Sequence, residues 1–125
     1  MVVDTSAVLA VFFEEPHGEW AAEQMNRHAG ELRMSTVNLT ETLILIRDRQ
    51  PQLADELEDR LWSSGLRFVP PDVEQARTAA AARLAFPLNL GDCFAYALAR
   101  AENVPVMAVD SDFETLDIPV LIPEG

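Results

Sequence analysis

Met1-Val2-Val3-Asp4-Thr5 opens the chain, and Met107-Ala108-Val109-Asp110-Ser111 echoes it near the end: an apolar triplet, an aspartate, then a hydroxyl side chain. A short apolar run that stops abruptly at a polar residue reads as a buried strand, with the aspartate at the point where the chain leaves it. Working outward, further runs of this kind lie at Leu32 to Met34, Leu66 to Val69 and Val120 to Ile122; with Met1 to Val3 and Val104 to Val109 they make five expected strands. Helical stretches fall between them, at Ser6 to Phe13, Gly18 to His28, Leu39 to Asp48, Gln52 to Ser63, Val73 to Ala85 and Asp92 to Glu102. Strands joined through helices instead of two-residue hairpins imply right-handed crossovers and a parallel sheet covered on both faces. The expected fold class is therefore α/β, a three-layer α/β/α domain around a central parallel sheet of about five strands. Pro51, Pro70, Pro71 and Pro87 fall between the helical stretches, where proline interrupts no backbone ladder.

Bulk properties narrow the function. With 125 residues, 49% of them hydrophobic, the chain is expected to form one domain over 1–125 with a single real core. No apolar run is long enough to cross a membrane, and the first residues lack the basic start of a signal peptide, so a soluble cytoplasmic protein is expected. Cys93 is the only cysteine, which excludes an intramolecular disulfide and a multi-cysteine zinc site; it reads as a small buried apolar residue. The formal charge is −12, and all nine basic residues are arginine. Such a balance argues against nucleic-acid binding through a broad basic surface, because that mode neutralises phosphates with many cations. Any contact with nucleic acid must be local, through a few arginines, bound cations or a basic partner.

In a parallel sheet, functional groups gather where the chain leaves the carboxyl ends of the strands. Asp4 and Asp110 follow strands directly, Glu41 lies in the first turn of the helix after the second strand, and Asp92 opens the last long helix. Two carboxylates 4 to 5 Å apart repel by roughly 3 to 4 kcal/mol at an effective dielectric near 20. A hard divalent cation with oxygen ligands, Mg2+ or Mn2+, relieves that repulsion while every acid stays ionised. It also lowers the pKa of bound water and orients a phosphodiester, so no histidine base is required. His17 and His28 have no metal-ligand spacing and read as surface residues. Each acid also has a purely structural reading: Asp4 and Asp112 as caps, Asn38 with Glu41 as a capping box, Asp92 as a partner of a helix dipole. Their joint placement on one rim favours chemistry. A phosphoacceptor receiver domain would need a lysine that this chain lacks, and an Asp-x-Asp phosphatase would need an acid where Ser6 stands.

The ordered series VVDTSAVLA, STVNLTETL, LNLGDCFAYALARA and VMAVDSDFETLDIPV resembles the PIN-domain superfamily, and within it the VapC-type toxins of bacterial toxin-antitoxin pairs. The resemblance spans essentially the whole chain, with Gly91-Asp92-Cys93 and its alanine-rich helix as the most specific part. It implies a metal site of Asp4, Glu41 and Asp92, completed by Asp110 or Asp112, which both precede Phe113 at spacings used in the family. It further implies that Thr5 or Ser6 positions water or substrate, and Arg100, two turns along from Asp92, is the arginine singled out for the substrate. The implied activity is endonucleolytic cleavage of tRNA, rRNA or mRNA. The implied partners are a VapB-type antitoxin, often with basic side chains in the acidic pocket, and a second copy in a homodimer, with Phe12, Trp20 and Trp62 as candidate apolar contacts. A catalytically silent PIN-fold module that only binds a partner is the alternative.

Overall fold

Val2 and Val3, both wholly inaccessible to solvent, form the strand on which the other layers are built, β1 (Val2–Val3). In the computed structural model, which describes residues 1–124, β1 pairs on one side with β2 (Arg33–Ser35) and on the other with β4 (Val106–Met107). The strands β3 (Arg67–Val69) and β5 (Val120–Leu121) flank these, giving the order β3-β2-β1-β4-β5 with every pairing parallel. Six helices lie between and after them: α1 (Thr5–Phe12), α2 (Gly18–Arg27), α3 (Thr36–Arg49), α4 (Ala54–Trp62), α5 (Val73–Ala85) and α6 (Leu90–Glu102). The expected three-layer parallel architecture is the one found.

Strand alternation sorts the core into two sides. Val2, Val106 and Ala108 pack with α5 and α6, through Ala79, Ala82, Leu98 and their neighbours. Val3, Met34 and Met107 pack on the other side against Ala7, Val8, Ala21 and Leu61. Small side chains on α6 (Ala95, Ala97, Ala99) let that helix lie close to the sheet, and Cys93 is buried among them as a small apolar residue. Among the candidate dimer contacts, Phe12 and Trp20 pack against this molecule's own core, while Trp62 is about half exposed and meets Phe68 edge-on. No helix among the described residues is long and apolar enough to cross a membrane.

The observed elements differ from the sequence reading in ways that matter for the site. Helix α3 starts at Thr36, three residues before the expected Leu39, because the Ser35 hydroxyl accepts the Val37 N–H and caps it directly at the end of β2. Glu41 is thus a full turn inside the helix, and Asn38 is not its cap. Helix α6 likewise begins before Asp92, with Asn89 as the cap. The fourth strand is two residues long, shorter than the expected Val104 to Val109. Its register pairs Val3 with Met107, which sets Asp4 level with Ala108 and sends Asp110 two residues further beyond the rim.

That extension turns at a 3-10 segment, Ser111–Thr115, anchored by Phe113, whose side chain is fully buried against the α6 side of the core. Truncating a buried aromatic loses its transfer energy and leaves a cavity. Phe113→Ala is expected to lower unfolding stability by about 3 to 5 kcal/mol, as read from the midpoint of urea unfolding.

Candidate active site

Asp4 leaves the central strand with its backbone N–H still bonded to the Met107 carbonyl at 2.9 Å, and its carboxylate turns back to accept the Ser6 N–H at 3.0 Å. It therefore does cap α1, and it is also only 1% exposed. A surface cap needs no such burial. Extended geometry at Asp4 keeps the strand alternation, so its side chain falls on the side of the sheet occupied by α6. Asp110 has the same parity as Val106 and Ala108 and falls on that side as well.

From α6 comes Asp92, 5% exposed, whose N–H is bonded by the Asn89 side chain at 2.8 Å in a capping box. Its own carboxylate is held only loosely in return, at 3.4 Å from the Asn89 N–H. From α3 comes Glu41, whose carboxylate lies across the first turn of α6. A Cβ added at Gly91 would fall 2.8 Å from Glu41 Oε2, so glycine is what admits the carboxylate there. Asp110 caps the 3-10 segment by accepting the Asp112 N–H at 2.9 Å.

Electrostatics binds these acids into one group. Burial, opposed by the bonds from Ser6 and reinforced by the charges of Glu41 and Asp110, raises the Asp4 pKa to about 6. Asp92 is raised to about 7, first by burial and then by the negative charge of Asp4, with Asp110 and Glu41 adding to it. Asp112 is not among the causes of either shift; it is exposed, and its backbone carbonyl accepts the Thr115 hydroxyl. Of the two aspartates left open by the sequence, Asp110 is the one that acts on the others.

Among the described residues no three acidic, histidine or cysteine side chains converge closely enough to enclose an ion as they stand. The donor set still fits a hard divalent cation. It is all oxygen, it comes from four separate segments, and its two most buried members carry the electrostatic penalty that a cation removes.

The hydroxyls beside Asp4 serve as ties. Thr5 donates to the Asn38 carbonyl at 3.1 Å, and Ser6 Oγ accepts the Val109 N–H at 3.2 Å, which holds the stretch leading to Asp110 against α1. Arg100 is not brought to the acids. Asp92 and Arg100 are about 12 Å apart along the helix axis, and the guanidinium bonds the Tyr96 hydroxyl and Asp117, both at 3.3 Å. The residue the sequence reading missed is Asn38. It is fully buried, and its side-chain nitrogen lies 3.5 Å from Asp4 Oδ1 and 3.0 Å from the Gly91 carbonyl. An asparagine three residues before Glu41 suggested a cap only because the helix was expected to start later.

The family model described as PIN domain matches residues 1–119. Ribonuclease VapC42 of Mycobacterium tuberculosis is 33% identical over 127 residues, covering 94% of this chain and 96% of the relative. The fold is similar to that of the Mycobacterium tuberculosis toxin VapC20, described as cleaving the sarcin-ricin loop, with a TM-score of 0.80 at 18% identity over 94% of this chain and 95% of that one. It is also similar to a chain of a toxin-antitoxin complex from Klebsiella pneumoniae, with a TM-score of 0.75 at 17% identity over 96% and 94% of the two chains.

The raised acids make stability depend on pH. With folded values near 6 and 7 against an ordinary 3.8, Asp4 and Asp92 hold protons in the folded state that the unfolded chain releases. Stability is therefore fully present below about pH 4 as far as these groups are concerned, and is lost as the pH rises through 6 and 7. Asp92→Asn removes one such charge and keeps an oxygen for the Asn89 N–H. In the presence of a chelator, this variant is expected to melt at least about 3 °C above the unaltered protein at pH 8, with the difference vanishing near pH 4, in a calorimetric pH series.

Proposed function

This chain belongs to the PIN-domain family and within it to the VapC ribonucleases, and from that premise we propose that it is a Mg2+- or Mn2+-dependent endoribonuclease toxin that cleaves RNA of the translation machinery. The observation that carries the reading is the gathering on one rim of Asp4, Glu41, Asp92 and Asp110, with the two buried members raised in pKa first by burial and then by neighbouring acids. We assign these four as the metal-holding acids. When bound, the cation would activate water and stabilise charge on the phosphorus as the strand is cut. Asp4 and Asp92 would supply buried oxygens, Glu41 and Asp110 less buried ones. Ser6 and Thr5 hold the surrounding backbone in place through their bonds to Val109 and Asn38.

A partner of complementary chemistry follows from the same surface. Beside Glu41 lies a groove of about 500 Å³ lined by Val37, Thr40, Ile44, Leu45 and Leu90, mostly apolar with the carboxylate at its edge. Ile44 and Leu90 are each 62% exposed. A VapB-type antitoxin segment with apolar side chains and a basic group would cover this groove and neutralise the acids, and the net charge of −12 favours such a basic partner.

The test is cleavage of structured RNA by purified protein with Mg2+ or Mn2+. Asp92→Asn is expected to reduce the rate by more than about 100-fold, beyond the cost of losing an outer-shell contact. Asp110→Asn is expected to reduce it strongly, whereas Asp112→Asn stays near the original rate. Undiminished cleavage by Asp92→Asn would remove that residue from the mechanism, and the reverse order for the last two would exchange their roles.

A further inference from the structure

The buried polar residue at the junction of the acid-bearing segments has no part in the assignments above. Asn38 is wholly inaccessible, one turn before Glu41 on the same face of α3. Its Nδ2 donates to the Gly91 carbonyl at 3.0 Å and lies 3.4 Å from Thr5 Oγ1 and 3.5 Å from Asp4 Oδ1. Its backbone carbonyl accepts the hydroxyls of Thr5 and Thr42, at 3.1 and 2.7 Å. One side chain thus touches the segment after β1, which carries Asp4, and the start of α6, which carries Asp92, from the helix that carries Glu41. The orientation of the amide follows from its neighbours: turned over, its oxygen would face the Gly91 carbonyl.

The arrangement is costly. Asn38 Oδ1 is buried with no hydrogen-bond partner among the described residues, and a buried polar atom left unpaired destabilises the fold. An apolar residue of similar size would avoid that cost but could not hold the Asp4 carboxylate and the Gly91 carbonyl at a set separation. Gly91 is also the residue against which the Glu41 carboxylate lies.

We propose that Asn38 is a positioning residue for the metal site, tying together the segments that carry Asp4, Glu41 and Asp92 so that their carboxylates can close on an ion. The proposal rests on the metal-site reading above. Groups that orient metal ligands without touching the ion typically change affinity by 10- to 100-fold when lost. Thr42 supplies the contrast, since it shares the buried network through Thr5 and the Asn38 carbonyl but contacts none of the acids.

The experiment is calorimetric titration of the full chain with Mn2+ alone, beside thermal unfolding of each variant in chelator. Asn38→Leu is expected to weaken Mn2+ binding by about 10- to 100-fold while remaining folded, and Thr42→Val to lower the melting temperature with Mn2+ affinity near the original. Should Asn38→Leu not fold, Asn38→Ser, too short to span to the Gly91 carbonyl, gives the same reading. Unchanged Mn2+ affinity in a folded Asn38 variant would overturn the proposal, as would an equal loss of affinity in Thr42→Val. If the unaltered chain takes up no Mn2+, the metal-site reading itself fails, and this inference falls with it.

Discussion

Like charges gathered in one place are the constraint around which this molecule is arranged. A parallel sheet delivers the carboxyl ends of its strands to a single rim, and here those exits and the adjoining helix starts bear Asp4, Glu41, Asp92 and Asp110. Burial of Asp4 and Asp92 removes the water that would screen them and raises their pKa, and the charges of neighbouring acids add to that rise. A fold selected for stability alone would not assemble this group. Under the proposed function, the rim is where stability gives way to chemistry.

Much of the surrounding structure reads as a response to that strain. Ser6 N–H and Asn89 N–H offer hydrogen bonds to the two most buried carboxylates, and Asn38 and Thr5 tie the segments that carry them. Gly91 lets the Glu41 carboxylate lie against α6 where any side chain would displace it. Beneath these polar contacts, the wholly buried Val2 and Val3 and the small residues of α6 hold the sheet and the helix at close range. The apolar core thus fixes the distance between elements, and the hydrogen bonds fix the direction of the acids on top of it.

Capping an N-terminus does not exclude an acid from the proposed metal site. Asp4 caps α1 and Asp92 completes the capping box of α6, yet both stand in the mutually repelling group. A helix start at a strand exit needs an acceptor for its free N–H groups, and a metal site needs an oriented carboxylate; one aspartate with two oxygens serves both. Asp112 shows the other outcome. It belongs to the turn that Asp110 caps, stays exposed, and adds nothing to the potential at the buried pair.

The alternation of apolar runs with helical stretches was enough, by itself, to determine a parallel α/β sheet, because strand and helix periods are local properties of the chain. The order of the acids, the family resemblance and the placement of Asp4, Glu41 and Asp92 near one rim were legible for the same reason. Only the tertiary structure could separate Asp110 from Asp112, since that depended on a register that sends Asp110 two residues past its counterpart and on the turn that follows. Arg100 lay on the right helix but bonded away from the acids, to Tyr96 and Asp117. Asn38 was hidden most completely. Its role exists only where three segments distant in sequence meet, and a hydrogen bond between such segments leaves no period or spacing in the chain that makes it.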